Sequence, residues 1–102
     1  MTAPQFNGLT PAEHERLAML AEEAAEVVQI VGKILRHGYE SKHPDNLNGP
    51  TNRQMLENEI ADFYAIAGIM EDVKDVTVEG EAVRQAIKKK RRYTHHQEGE
   101  GW

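Results

Sequence analysis

Two capping boxes decide where this chain can begin a helix. In Thr10-Pro11-Ala12-Glu13 the threonine hydroxyl can accept from the N3 backbone N–H while Glu13 reaches back to the cap, and Pro11 takes the first helical position, where its missing N–H costs nothing. From there apolar residues recur with a period near 3.6 through Leu17, Leu20, Ala24, Val27, Val31 and Ile34, and the pattern stops after His37 at Gly38. One long helix is predicted. Thr51-Asn52-Arg53-Gln54 opens a second run behind Pro50, carried by Met55, Leu56, Ile60, Phe63, Ile66, Met70 and Val73. Gly68 within it is a tolerated cost of about 1 kcal/mol relative to alanine. Between them, residues 39–50 concentrate Pro, Asn, Asp and Gly and read as a loop. Asp75-Val76-Thr77-Val78 is brief and β-branched, a linker whose valines are expected to pack. A third helix is expected from about Glu79 to Tyr93, ending in Lys88-Lys89-Lys90-Arg91-Arg92, where cations suit the helix C-terminus.

Three helices and no strand pattern in 102 residues predict an all-α fold in one small domain. The expected division is an irregular segment 1–9, a helical domain 10–94 and a disordered tail 95–102. A lone chain of this size hides two wide apolar stripes poorly, so a helical bundle completed by association with further copies is expected. Seventeen acidic residues against twelve basic ones give a net charge of -5, which argues against a general attraction to nucleic acid or anionic lipid. No cysteine is present, so thiol chemistry and disulfides are excluded. No apolar run reaches the roughly 20 residues of a membrane span, and the N-terminus lacks the order of a signal peptide. A cytoplasmic protein with no membrane partner is the expectation.

The informative departure from this pattern is a set of carboxylates on the apolar faces. Stepping about 100° per residue from Glu23, Ile30 and Ile34 lie roughly 20° to either side and Val27 about 40° away. Glu23 therefore points into the apolar stripe, with Glu26 and Glu22 stepping out along its border. The second helix repeats the arrangement. Ile66 and Met70 flank Glu59 at roughly 20° and Asp62 stands at the border, whereas Glu57 falls nearly opposite, on a face that solvent explains. A carboxylate in a low-dielectric stripe must be neutralised, paired or bound to a metal. Divalent cations bridging the oxygens answer both desolvation and repulsion; pairing with Lys33, Arg36 or a neighbouring subunit is the alternative. All-oxygen ligands with no Cys, and no His three residues after a Glu, favour Mg²⁺ or Mn²⁺ over zinc. Hard metals in an acidic bundle usually serve phosphate chemistry, in which Lys33 and Arg36 on the first helix and Lys89 with Arg92 on the third can meet the substrate's charge. His14, His37, His43, His95 and His96 show no ligand spacing with the acids and read as solvated or packing residues.

Glu22-Glu23-Ala24-Ala25-Glu26 followed by Glu59-Ile60-Ala61-Asp62 resembles the paired acidic motifs of the all-α nucleoside triphosphate pyrophosphohydrolases of the MazG type. The resemblance runs over about residues 15–93, and Lys33-Ile34-Leu35-Arg36-His37-Gly38 is similar to small MazG-like proteins of phage and bacteria. It implies Mg²⁺-dependent hydrolysis of a nucleoside triphosphate between its α and β phosphates, giving the monophosphate and pyrophosphate. Glu23, Glu26, Glu59 and Asp62 would then hold metal, with Glu22 and Glu23 catalytic and Glu22 a further ligand or the acceptor that orients and deprotonates water. Lys89, Arg92 and Tyr93 match the basic and aromatic positions of the last helix and would face phosphates or base. A homodimer or homotetramer is implied as well. Two other readings remain: phosphoribosyl-ATP pyrophosphohydrolase, similar in fold and motifs, and a non-catalytic helical oligomer acting as a partner-binding module.

Overall fold

A computed structural model of the chain describes residues 6–102, so the first five residues of the irregular segment 1–9 lie outside the described residues. It is all-helical among those residues: α1 spans Pro11–His37, α2 Asn52–Asp72 and α3 Gly80–Arg92. Both capping boxes form. Thr10 Oγ1 accepts from Glu13 N at 3.1 Å and Glu13 Oε1 from Thr10 N at 2.9 Å. Thr51 and Gln54 repeat the exchange at 3.1 and 2.9 Å. Each cap is worth about 1 kcal/mol, and together they set the entry register of both long helices. α1 ends where Gly38 turns to φ 87°, a conformation that disfavours any side chain, with its N–H on the Ile34 carbonyl at 2.7 Å.

The two long helices form an antiparallel hairpin, tied at both ends. At the open end the Arg16 guanidinium grips the Asp75 carboxylate through two bonds, 2.6 and 3.0 Å, joining the start of α1 to the segment that leaves α2. At the closed end the buried Asn52 side chain donates to the Gly38 carbonyl at 3.2 Å. Loop 39–50 folds back on the first turn of α2: Asn52 N donates to Ser41 O at 2.9 Å, Arg53 N to Tyr39 O at 2.8 Å, and Lys42 bridges Thr51. Gly49 packs closely in that loop: a Cβ there would displace the Asn46 side-chain amide, 2.4 Å away, and press on the Asn46 backbone carbonyl oxygen at 3.1 Å. Along the seam, Ile30 of α1 and Ile66 and Met70 of α2 are the buried apolar side chains.

The third helix departs from expectation. α3 packs against neither α1 nor α2, so no three-helix bundle closes within one chain. The radius of gyration is 17.8 Å, against about 13 Å for a compact chain of this length. The linker valines pack less than their sequence suggests: Val76 shares a shallow hollow with Leu17 and Met70, while Val78 stays exposed. Beyond α3 the chain makes turns without regular structure, and the Trp102 indole donates to Gln97 Oε1 at 3.0 Å. No helix is long and apolar enough to cross a membrane among the described residues.

Candidate functional site

Midway along the hairpin, Glu23 and Glu26 stand one turn apart on α1 and face Glu59 on α2. The helical phase that places Glu23 among Ile30 and Ile34 also aims it across the seam, and the same holds for Glu59 among Ile66 and Met70. One carboxylate oxygen from each of the three lies within 4.8 Å of the others, and all three side chains are half-buried. Glu23 Oε2 and Glu59 Oε2 are buried and lack any hydrogen-bond partner. Such orphaned oxygens are costly to a fold unless something meets them.

The electrostatics follow from that crowding. Glu59 is pushed up to about 7, first by a hydrogen bond shared with the Glu26 carboxyl, which needs one of the pair protonated, then by desolvation, then by the charges of Glu26, Glu23 and Asp62. Glu23 is raised as well, chiefly by desolvation and next by the charges of Glu26 and Asp62. No base relieves them. Ion pairs among the described residues join Arg16 to Asp75, Arg53 to Glu40 and Arg84 to Glu81, and neither Lys33 nor Arg36 pairs with the acids. The donor set fits a hard divalent cation: three carboxylates from two helices, no sulfur or imidazole, and two buried oxygens without a hydrogen-bond partner among the described residues.

The remaining expected site residues fall into three places. Asp62 is exposed, outside the close trio, yet near enough for its charge to act on Glu23 and Glu59. Glu22 is exposed on the same border of α1 as Glu26. Lys33 and Arg36 line a cavity of about 410 Å³ at the closed end of the hairpin, together with His37 and with Lys42 and His43 from the loop. Lys89, Arg92 and Tyr93 ride on α3, which the fold does not bring to the acids of its own chain. Lys89 and Tyr93 instead line a hollow with Trp102. Sequence reasoning passed over His37, Lys42 and His43, reading the histidines as solvated or packing. The available signal was two adjacent basic-type residues, Lys42-His43, inside a loop otherwise made of turn formers.

The opposite edge of the hairpin is different in kind. Ala24, Val27, Ile60, Phe63 and Tyr64 form an apolar trough, and Val28 and Leu35 of α1 are 71% and 82% exposed.

No family model matches this chain, and comparison with curated proteins and with solved structures likewise gives no match.

Proposed function

We propose that the chain is a divalent-metal-dependent nucleoside triphosphate pyrophosphohydrolase that releases a nucleoside monophosphate and pyrophosphate. The observation that carries the reading is the trio Glu23, Glu26 and Glu59, three oxygens within 4.8 Å with two buried oxygens unmet and no base to pair them. The acidic motifs Glu22-Glu23-Ala24-Ala25-Glu26 and Glu59-Ile60-Ala61-Asp62 support it as well. Glu23, Glu26 and Glu59 would hold Mg²⁺, or Mn²⁺ in its place, with Asp62 completing the set from the border. When bound, the metal supplies charge screening of the phosphates and a more acidic water.

The chain's own residues then have distinct tasks. Glu22, exposed beside the trio, accepts a proton from the attacking water, whose oxygen forms a bond to the α-phosphorus as the bond from that phosphorus to the α–β bridging oxygen breaks. Pyrophosphate leaves with the bridging oxygen. Lys33 and Arg36 balance the phosphate charge from further along α1. Lys89, Arg92 and Tyr93 reach the phosphates or the base only if α3 of a second copy lies over the hairpin, so a homodimer or homotetramer is part of the proposal. The uncovered Val28 and Leu35 support association, and the net charge of -5 argues against nucleic acid as the substrate of the proposed cytoplasmic enzyme.

Incubation with Mg²⁺ and a panel of ribo- and deoxyribonucleoside triphosphates, with phosphoribosyl-ATP included, tests this. Monophosphate plus pyrophosphate from wild type, reduced about 100-fold or more in Glu59→Ala with helix content retained, is the expected result, since even outer-shell partners of a metal are worth 10–100-fold. Cleavage of phosphoribosyl-ATP alone would move the assignment to that substrate. No cleavage of any would leave a non-catalytic helical oligomer.

A further inference from the structure

The cavity at the closed end of the hairpin is built by both α1 and the interhelical loop, and its charge is one-sided. Lys33, Arg36, His37, Lys42 and His43 all line it, and no carboxylate does. In a chain with seventeen acidic residues and twelve basic ones, this is a local reversal of sign. None of the three cations there has a carboxylate partner among the described residues. Lys42 donates to the Leu47 carbonyl at 3.2 Å and keeps two further protons to give. His43 Nδ1 accepts from Asp45 N at 3.1 Å, so the ring proton sits on Nε2 as a donor. The loop is held in place by its bonds to the start of α2, through Ser41 O, Tyr39 O and the Lys42–Thr51 bridge. The loop backbone that carries Lys42 and His43 is thus fixed against α2.

The cavity also lies on the same edge of the hairpin as the acidic trio. By helical phase Glu22, Glu26, Lys33 and His37 share one border of α1, and Lys33 follows Glu26 by about 10 Å of helix rise. Side chains on a helix lean toward its N-terminus, which for α1 means toward the acids. Arg36 does so: its guanidinium lies back over Gly32, where a Cβ would stand 3.6 Å from Nη1. A volume of about 410 Å³ suits a small ligand rather than a polymer, and a forked guanidinium, ammonium donors and imidazole N–H together suit an anion with many oxygens.

We propose that this cavity seats the terminal phosphates of a polyphosphate ligand, with Lys42 and His43 of the interhelical loop as phosphate-binding residues beside Lys33 and Arg36. On the pyrophosphohydrolase reading, on which the identity of the natural ligand rests, this directs the leaving pyrophosphate toward the loop and the nucleoside away from it. Binding of the anion itself does not depend on turnover.

Calorimetric titration of the full chain with inorganic tripolyphosphate, without and with Mg²⁺, tests it. Wild type binds. The Lys42→Ala/His43→Ala double variant binds about tenfold or more weakly, as the loss of two strong hydrogen bonds to an anion requires, and Lys88→Ala on α3 binds as wild type. Arg36→Gln, on the exposed surface of α1, weakens binding too and decides the matter if the double variant loses helix content. Absence of tripolyphosphate binding, equal binding by folded variants, or an equal loss in Lys88→Ala overturns the proposal. A second arm compares nucleoside triphosphate with monophosphate: the double variant should lose affinity for the triphosphate alone, and an equal loss for both would assign the cavity to the nucleoside and overturn the proposal. The two readings fail separately. A chain that binds tripolyphosphate through these residues but cleaves no nucleotide keeps the cavity and loses the enzyme, and one that cleaves nucleotide with KM unchanged in the double variant keeps the enzyme and loses the cavity.

Discussion

Glu59 sits where sequence and solvent disagree most: an acid in the apolar phase of its helix, with one buried oxygen unmet. Its proton is held to about 7 in the folded chain against an ordinary value of 4.5, so between those limits the native state binds more protons than the unfolded one. The group therefore favours folding below about pH 4.5, and that contribution is lost as pH rises through 7. Glu23 acts in the same direction. Asp75, held low by Arg16, has the opposite sign and loses its contribution only as pH falls into and below the ordinary carboxylate range. Scanning Tm of the metal-free protein from pH 5 to 8 should thus show a decline, which Glu59→Gln flattens and which Mg²⁺ reverses at pH 8 because metal takes the deprotonated acids. A rising or flat profile in wild type would contradict this reading of the trio. Glu23 and Glu59 were legible from helical phase alone, since 100° steps fix which side chains face the seam. Glu26, half-buried in the trio, was not separable by phase from exposed Glu22 and Asp62, because border positions become exposed or half-buried according to how closely two helices approach.

At the scale of elements, the helix boundaries follow from local chemistry, and so the sequence shows them: Thr10 and Thr51 with their reciprocal partners, and Gly38 at the end of α1. The loop between them depends on bonds that link Ser41, Tyr39 and Gly38 to residues 11 to 14 positions later, and no local pattern reports those. Lys42 and His43 come to line one cavity with Lys33 and Arg36 only through those non-local bonds. The hairpin rests on a thin seam. Ile66→Ala is expected to cost about 2–4 kcal/mol, in the range of large-to-small changes at buried sites, measurable by urea unfolding. A cost below about 1 kcal/mol would mean that Ile66 is not part of the core.

For the molecule as a whole, the all-α class was legible from three helical periods, but the placement of α3 was not. Periodicity states that Val83 and Ile87 share a face and is silent on what covers it; in this chain both remain exposed and α3 lies free of the hairpin. A radius of gyration of 17.8 Å with Val28 and Leu35 uncovered describes a chain that leaves much of its apolar surface exposed. Sedimentation should therefore find a dimer or tetramer, and Leu35→Asp should shift it toward monomer with a lower Tm. A wild-type monomer at micromolar concentration would instead leave α3 and its cations away from the acids.

On the proposed function, Glu23, Glu26 and Glu59 hold the metal at which a nucleoside triphosphate is cleaved between its α and β phosphates. Chromatographic resolution of the products from each nucleoside triphosphate with Mg²⁺, in wild type and in Glu59→Gln, tests it most directly. Equimolar monophosphate and pyrophosphate are expected, abolished by chelation and by the substitution while the helices persist. Diphosphate and inorganic phosphate as products, or equal turnover in Glu59→Gln, would contradict it.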